Sequence, residues 1–185
     1  MSLSWDERWQ QKIHDPTPAP DSWLANRQGL LTTGTALDLA CGRGRNSIFL
    51  GTLGYRVLAL DSSTAALELL NASTSGKNLP IETLLHNLDS ELPPFPEKVD
   101  LILCFYFLQR SLFPEIKTKI APGGLFIGRS FCQREASPEI CDIIYEPGEL
   151  FKLFNGWEII DYEEGVESAQ RGGTLAGIIA RKPLS

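Results

Sequence analysis

Residue types and spacing converge on ligand chemistry in Asp38-Leu39-Ala40-Cys41-Gly42-Arg43-Gly44-Arg45-Asn46. Gly42 and Gly44 lack Cβ atoms, so the backbone can turn sharply and come close to a ligand, with the amides of the following helix start facing it. The apolar run TALDLA precedes the stretch and a helical pattern follows it. This places the loop beyond the carboxyl end of a strand, where open α/β sheets bind ligands. Asp61 ends the next apolar run, nineteen positions after Gly42. An acid at roughly 20 residues is suited to accept hydrogen bonds from ribose hydroxyls. The pattern implies a bound nucleoside; the bland alternative is a merely tight strand-to-helix turn.

Two departures from the dinucleotide fingerprint narrow the ligand. Ser47 stands where G-x-G-x-x-G wants its third glycine, and an acid, Asp38, precedes Gly42 by four positions. A pyrophosphate is disfavoured beside that carboxylate, and the chain has no G-x-x-x-x-G-K-[ST] phosphate loop. S-adenosyl-L-methionine suits the same residues, because it carries an ammonium for a carboxylate, a ribose for Asp61 and a carboxylate for the loop amides.

The segment LDLACGRGRNSIFLGTLGYRVLALD resembles the first two motifs of class I S-adenosylmethionine-dependent methyltransferases. Together with APGGLFI, PGELF, EEG and the terminal ARKP, it is similar to the small tellurite-resistance-type methyltransferases over most of Leu37 to Pro183. The resemblance implies a doubly wound, Rossmann-like α/β fold: a seven-stranded, mostly parallel sheet with one antiparallel strand and helices on both faces. It implies an EC 2.1.1 activity with S-adenosyl-L-methionine as cofactor. Carried over by position, it assigns Asp38, Ala40, Gly42 and Gly44 to the aminoacyl end, with Cys41, Arg43 and Asn46 in the same loop. Asp61 falls to the ribose and Ser62 beside the adenine. Asn87, followed by Leu88, stands where the family has an acid for the adenine amine, with Asp89 as the alternative. Phe105 and Tyr106 would lie under the methionine chain and sulfonium, where aromatic faces attract a cation. Ala40 departs from the commoner glycine, and a histidine expected after E-G is missing from EEGVESAQRGG, which bears on tellurite as a substrate.

Acceptor-side candidates are more scattered. Trp5, Trp9 and Ile13 recur every four residues after the capping box Ser4-Trp5-Asp6-Glu7, giving one face that either packs or closes over the cofactor. His14 titrates near neutrality and is a usable base or simply a solvated side chain. Arg45, Arg110 and Arg129, with Arg43, follow strands and could receive an anionic acceptor; Arg45 and Asn46 are the first pair to test. The expected acceptor is a small molecule, a thiol or a chalcogen oxyanion, which needs little proton removal. A hydroxyl or amine acceptor would call on His14, Tyr106, Tyr145 or Glu163, and no catalytic residue is assigned. Alternatives are a non-catalytic S-adenosylmethionine-binding or sensor domain and a nucleic-acid methyltransferase. The second is opposed by the net charge of -6 and the absence of a DPPY-like tetrapeptide.

The elements that must position these residues read as βαβαβ from Thr35, through TALDLA, SIFLGTLG, YRVLALD, STAALELLNA and IETLL. VDLILCF, a helix near Leu112 to Ile120, Pro122-Gly123-Gly124 and LFIGRSF continue the pattern. Pro147 opens a helix over GELFKLF, and WEIIDYEEG and TLAGIIARK form an antiparallel pair joined by the Gly-rich link VESAQRGG. The 185 residues suit one domain, 1–185, in which 1–34 is an N-terminal helical cap with Asp21 capping a helix from Ser22 to about Leu31. Cys41, Cys104, Cys132 and Cys141 form no C-x-x-C pair and read as buried thiols; with two histidines, no metal site is expected. No apolar run spans a membrane and no signal core is visible, so the expected location is cytoplasmic and the expected state a monomer or homodimer.

Overall fold

The protein is described from a computed structural model covering residues 3–89, 91–94, 98–133, 144–167 and 173–184. The chain divides into two compact units, Met1–Leu88 and Asp89–Ser185.

In the first unit, helix α1 (Trp5–Gln10) opens on the expected capping box. Glu7 N–H donates to Ser4 Oγ at 3.2 Å, and the Glu7 carboxylate accepts from Ser4 N–H at 2.7 Å. The helix stops before Ile13, because the chain tightens into three-residue turns (Lys12 N–H to Trp9 O, Asp15 N–H to Lys12 O) ahead of Pro16. The single apolar face expected from Trp5, Trp9 and Ile13 therefore does not form. Trp5 and Ile13 are 57% and 61% exposed, and Trp9 alone packs inward. Asp21 caps α2 (Ser22–Ala25) as expected, yet the helix ends six residues early. Arg27 leaves the helical region at φ -113°, and a separate 3-10 turn covers Gln28–Leu30, with Gly29 lowering helix propensity there.

Strands β1 (Thr35–Leu39), β2 (Arg56–Asp61) and β3 (Ile81–Leu85) are parallel, connected by α3 (Arg45–Thr52) and α4 (Thr64–Thr74). Ala36, Leu37, Leu39, Val57, Ala59 and Leu60 are buried, as are Leu50 of α3 and Ala66 and Leu70 of α4. Burial on both faces is why β1 and β2 read as unbroken apolar runs rather than alternating ones. The register pairs Asp38 with Ala59 and Leu39 with Leu60, so both acids reach the carboxyl edge of the strands.

The second unit contains β4 (Val99–Phe105), α5 (Phe113–Lys119), β5 (Ile120–Gln133), α6 (Glu149–Leu153), β6 (Glu158–Glu167) and β7 (Thr174–Arg181). β4 and β5 are parallel, and β7 lies antiparallel between β5 and β6. Pro122-Gly123-Gly124, expected between the helix and the strand LFIGRSF, lies within β5. The register shifts there between Val99 and Leu101, and Gly123 at φ +79° donates to Lys182 O. Pro147 precedes rather than opens α6, whose cap is Gly148 at φ +69°. Phe113, Phe126 and Phe154 form the aromatic centre of this unit, with Phe126 stacked on Phe154 at 4.5 Å.

The strand order of the sheet is β3-β2-β1-β4-β5-β7-β6. This is the expected seven-stranded, mostly parallel architecture with one antiparallel insertion. No helix among the described residues is long and apolar enough to cross a membrane. Cys104 and Cys132 are buried free thiols and Cys41 is half-buried; Cys141 and residues 168–172 of the Gly-rich link lie outside the described residues.

Candidate cofactor site

The β1–α3 loop is built from three residues in the left-handed region: Ala40 at φ +54°, Gly42 at +57° and Gly44 at +76°. A Cβ on Gly44 would stand 2.3 Å from Leu70 Cδ1, and one on Gly42 would stand 2.8 Å from Trp9 Cζ2. Both glycines are thus required by conformation and by close approach. Ala40 meets the same conformation with a side chain, at a cost of roughly 1–2 kcal/mol, which is the physical meaning of its departure from glycine.

Asp61 braces this loop. Its Oδ2 accepts from Gly42 N–H at 2.7 Å and its Oδ1 from Ser63 N–H at 2.9 Å. Cys41 N–H to Leu60 O and His86 N–H to Asp61 O tie the ends of β1 and β3 to β2. Ser62 N–H also bonds the Asp61 carboxylate, so of its roughly four acceptor sites about one is left for a ligand hydroxyl. Burial raises the Asp61 pKa against the opposing pull of those amides.

Asp38 is 2% exposed, and Ser47 Oγ donates to its Oδ2 at 2.6 Å. Burial pushes its pKa up to about 7, with the Ser47 bond and the Arg45 charge acting against that rise. At neutral pH the group stands midway between acid and carboxylate, where a nearby cation would ionise it. In the sequence Ser47 is visible only as the missing third glycine; its role as the donor to Asp38 needs the helix turn that brings them together. The Cys41 thiol is pushed well above its ordinary range by burial and by Asp38 and Asp61, so it is a packing group and not a thiolate nucleophile.

Ser62 and Asn87 are exposed and Leu88 is buried, all at the carboxyl ends of β2 and β3. The N-terminal segment reaches the same edge. Trp9 lies on Gly42, and Asp6 Oδ1 accepts from Ser63 Oγ at 2.6 Å and from Ala65 N–H at 3.1 Å. Asp6 and Ser63 join the site without having been expected there; the sequence shows them only as parts of two helix starts. His14 is exposed.

The loop cations are engaged within the chain. Arg43, 6% exposed, donates to Lys12 O at 3.3 Å and Asp15 O at 2.7 Å. Arg45 pairs with Asp21 at 3.0 Å, and Asn46 Oδ1 accepts from Asp21 N–H at 2.9 Å.

In the second unit, Phe105 is buried and Tyr106 stands at φ +57°, its ring 6.4 Å from Phe105 and 5.6 Å from Phe131. Arg110 forms a two-pronged pair with Glu149, at 2.5 and 2.8 Å, and donates to Ile144 O at 3.0 Å. Arg129 pairs with Glu163 at 2.5 Å. Tyr145, a candidate base, is fully buried and pushed well above its ordinary pKa, so it remains a phenol at neutral pH. No group of three His, Cys, Asp or Glu side chains suited to a metal occurs among the described residues.

The family pattern described as "Tellurite resistance protein TehB" matches residues 6–176. The chain is 29% identical over 139 residues to a probable S-adenosyl-L-methionine-dependent methyltransferase TehB of Haemophilus influenzae, covering 70% of this chain and 48% of that protein. It is 30% identical over 141 residues to hemagglutinin 1 of Eikenella corrodens, covering 70% and 46%. The chain therefore spans about half the length of these relatives. The crystal structure of TehB from Haemophilus influenzae superposes with a TM-score of 0.76 at 24% identity, over 97% of this chain and 68% of the other, a likeness of fold.

Proposed function

Because the chain belongs to the tellurite resistance protein TehB family, we propose that it is an S-adenosyl-L-methionine-dependent methyltransferase acting on a small-molecule acceptor, a thiol or a chalcogen oxyanion. One observation carries the reading: two buried aspartates, Asp38 and Asp61, stand at the ends of adjacent strands on either side of a loop with three left-handed residues. These residues fit the cofactor. The buried Asp38, with its raised pKa, offers a counter-charge for an ammonium, and Asp61 has acceptor capacity left for ribose hydroxyls.

When bound, the cofactor supplies a methyl group activated by a sulfonium. The chain's part is to align and to exclude water. The glycine loop would bring backbone close to the aminoacyl end, Asp61 would fix the loop while accepting from the ribose, and Ser62, Asn87 and Leu88 would flank the adenine. Alignment of this kind is the main catalytic contribution when the acceptor is a soft nucleophile that needs no base.

The test is formation of S-adenosylhomocysteine in the presence of a panel of thiols, selenite and tellurite. Turnover that requires an acceptor, and a KM for the cofactor raised roughly 10–100-fold by Asp61→Asn through loss of charge-assisted bonds, is the expected result. Absence of cofactor binding in the unmodified protein refutes the reading.

A further inference from the structure

We propose that Arg43 is a positioning residue that latches the segment Ser4–Asp15 onto the glycine loop, so that ligand exchange at the loop requires this latch to open. The inference rests on the cofactor reading above and adds to it the way access is controlled. Arg43 leaves the loop between the two left-handed glycines and points its guanidinium into the N-terminal segment, where Nη1 and Nη2 hold the carbonyls of Lys12 and Asp15. Its Nε is buried without a hydrogen-bond partner among the described residues.

Helix α1 lies against α4, and the residues that follow it are less well covered. Helix α1 is six residues long, too short to persist by itself, and residues 10–19 are exposed. Among the described residues its attachments to the rest of the first unit include Asp6 on Ser63 and Ala65 at one end, Trp9 on Gly42 in the middle and Arg43 at the other end, and just beyond it the Thr17 hydroxyl meets Ser73 at 2.7 Å. Local opening of a short terminal piece whose second half is exposed is inexpensive relative to global unfolding. Because Gly42 carries both the Trp9 contact and the amide bonded to Asp61, release of the segment uncovers the loop at the residue the ligand must approach.

Arg43→Met keeps the apolar stem and removes the donors, whereas Arg43→Lys keeps one charge. Two rates decide the matter in the full chain: trypsin cleavage after Lys12, which follows the open population, and dissociation of S-adenosylhomocysteine by stopped flow. Arg43→Met is expected to raise both by about tenfold, the effect of losing a hydrogen bond to a charged donor, with Arg43→Lys in between. S-adenosylhomocysteine should protect Lys12 in the unmodified protein. If that protein binds S-adenosylhomocysteine and Arg43→Met leaves both rates unchanged, the latch is overturned. If S-adenosylhomocysteine binds neither protein, the cofactor reading falls, and the cleavage rates alone then decide the latch. Should Arg43→Met fail to fold, the same two rates are measured on Arg43→Lys: a rise in both supports the latch, and unchanged rates overturn it.

Discussion

Asp38 should make cofactor affinity depend on pH in a direction set by its burial. With a pKa of about 7, about half of the population is ionised at pH 7 and about one molecule in thirty at pH 5.5. If the ligand's ammonium binds only the ionised form, apparent affinity falls roughly fifteenfold over that interval, since affinity scales with the competent fraction. At pH 6.5 binding should release about three quarters of a proton. The stability side has the opposite sense. A carboxyl whose pKa is raised by folding favours the folded state fully below its unfolded value near 4, and that contribution is lost as pH rises through about 7. Ligand-induced stabilisation should therefore be larger at pH 7.5 than at pH 5.5. The assay is titration calorimetry with S-adenosylhomocysteine in buffers of different ionisation enthalpy, which yields both affinity and proton release. Asp38→Asn, which cannot ionise, should flatten the pH dependence and abolish the release. A flat profile in the unmodified protein, or the same slope in Asp38→Asn, refutes the assignment of this carboxyl to the ligand's cation.

Two further outcomes concern the loop itself. Ala40→Gly should stabilise the fold by about 0.5–1 kcal/mol, because relief of the left-handed strain exceeds the added chain entropy of glycine; a thermal midpoint that falls would contradict the strain at φ +54°. Gly44→Ala should cost about 2–3 kcal/mol, since its methyl group would meet Leu70 at 2.3 Å in the same strained region. For a chain of this size that corresponds to a midpoint lowered by about 5–10 °C, and a change of a degree or less would show that Leu70 gives way freely.

Much of the fold is written into local pattern. The apolar runs within Thr35–Leu39, Arg56–Asp61 and Val99–Phe105 are nearly continuous because most side chains on both faces of those strands are buried, and the helical stretches between them require parallel crossovers. The hairpin of β6 and β7 is equally visible in two apolar runs joined by a short polar, Gly-rich link. Where sequence and structure part, the cause is competition between local signals. The periodicity of Trp5, Trp9 and Ile13 continues past a helix that ends at Gln10, and Pro122-Gly123-Gly124 precedes the apolar run in the sequence although backbone bonds to Lys182 carry it inside β5.

By itself the sequence determined the glycine loop, the strands that present it and the two aspartates at its sides, because each depends on residues adjacent along the chain or on the spacing of one βαβ unit. Only the tertiary structure decided what those aspartates touch. Asp61 bonds the amide of Gly42, Asp38 receives the hydroxyl of Ser47, and Arg43 turns away to the carbonyls of Lys12 and Asp15. Such partners are chosen by burial and by which donor is left unsatisfied once strands and helices pack, and that selection has no signature in linear spacing.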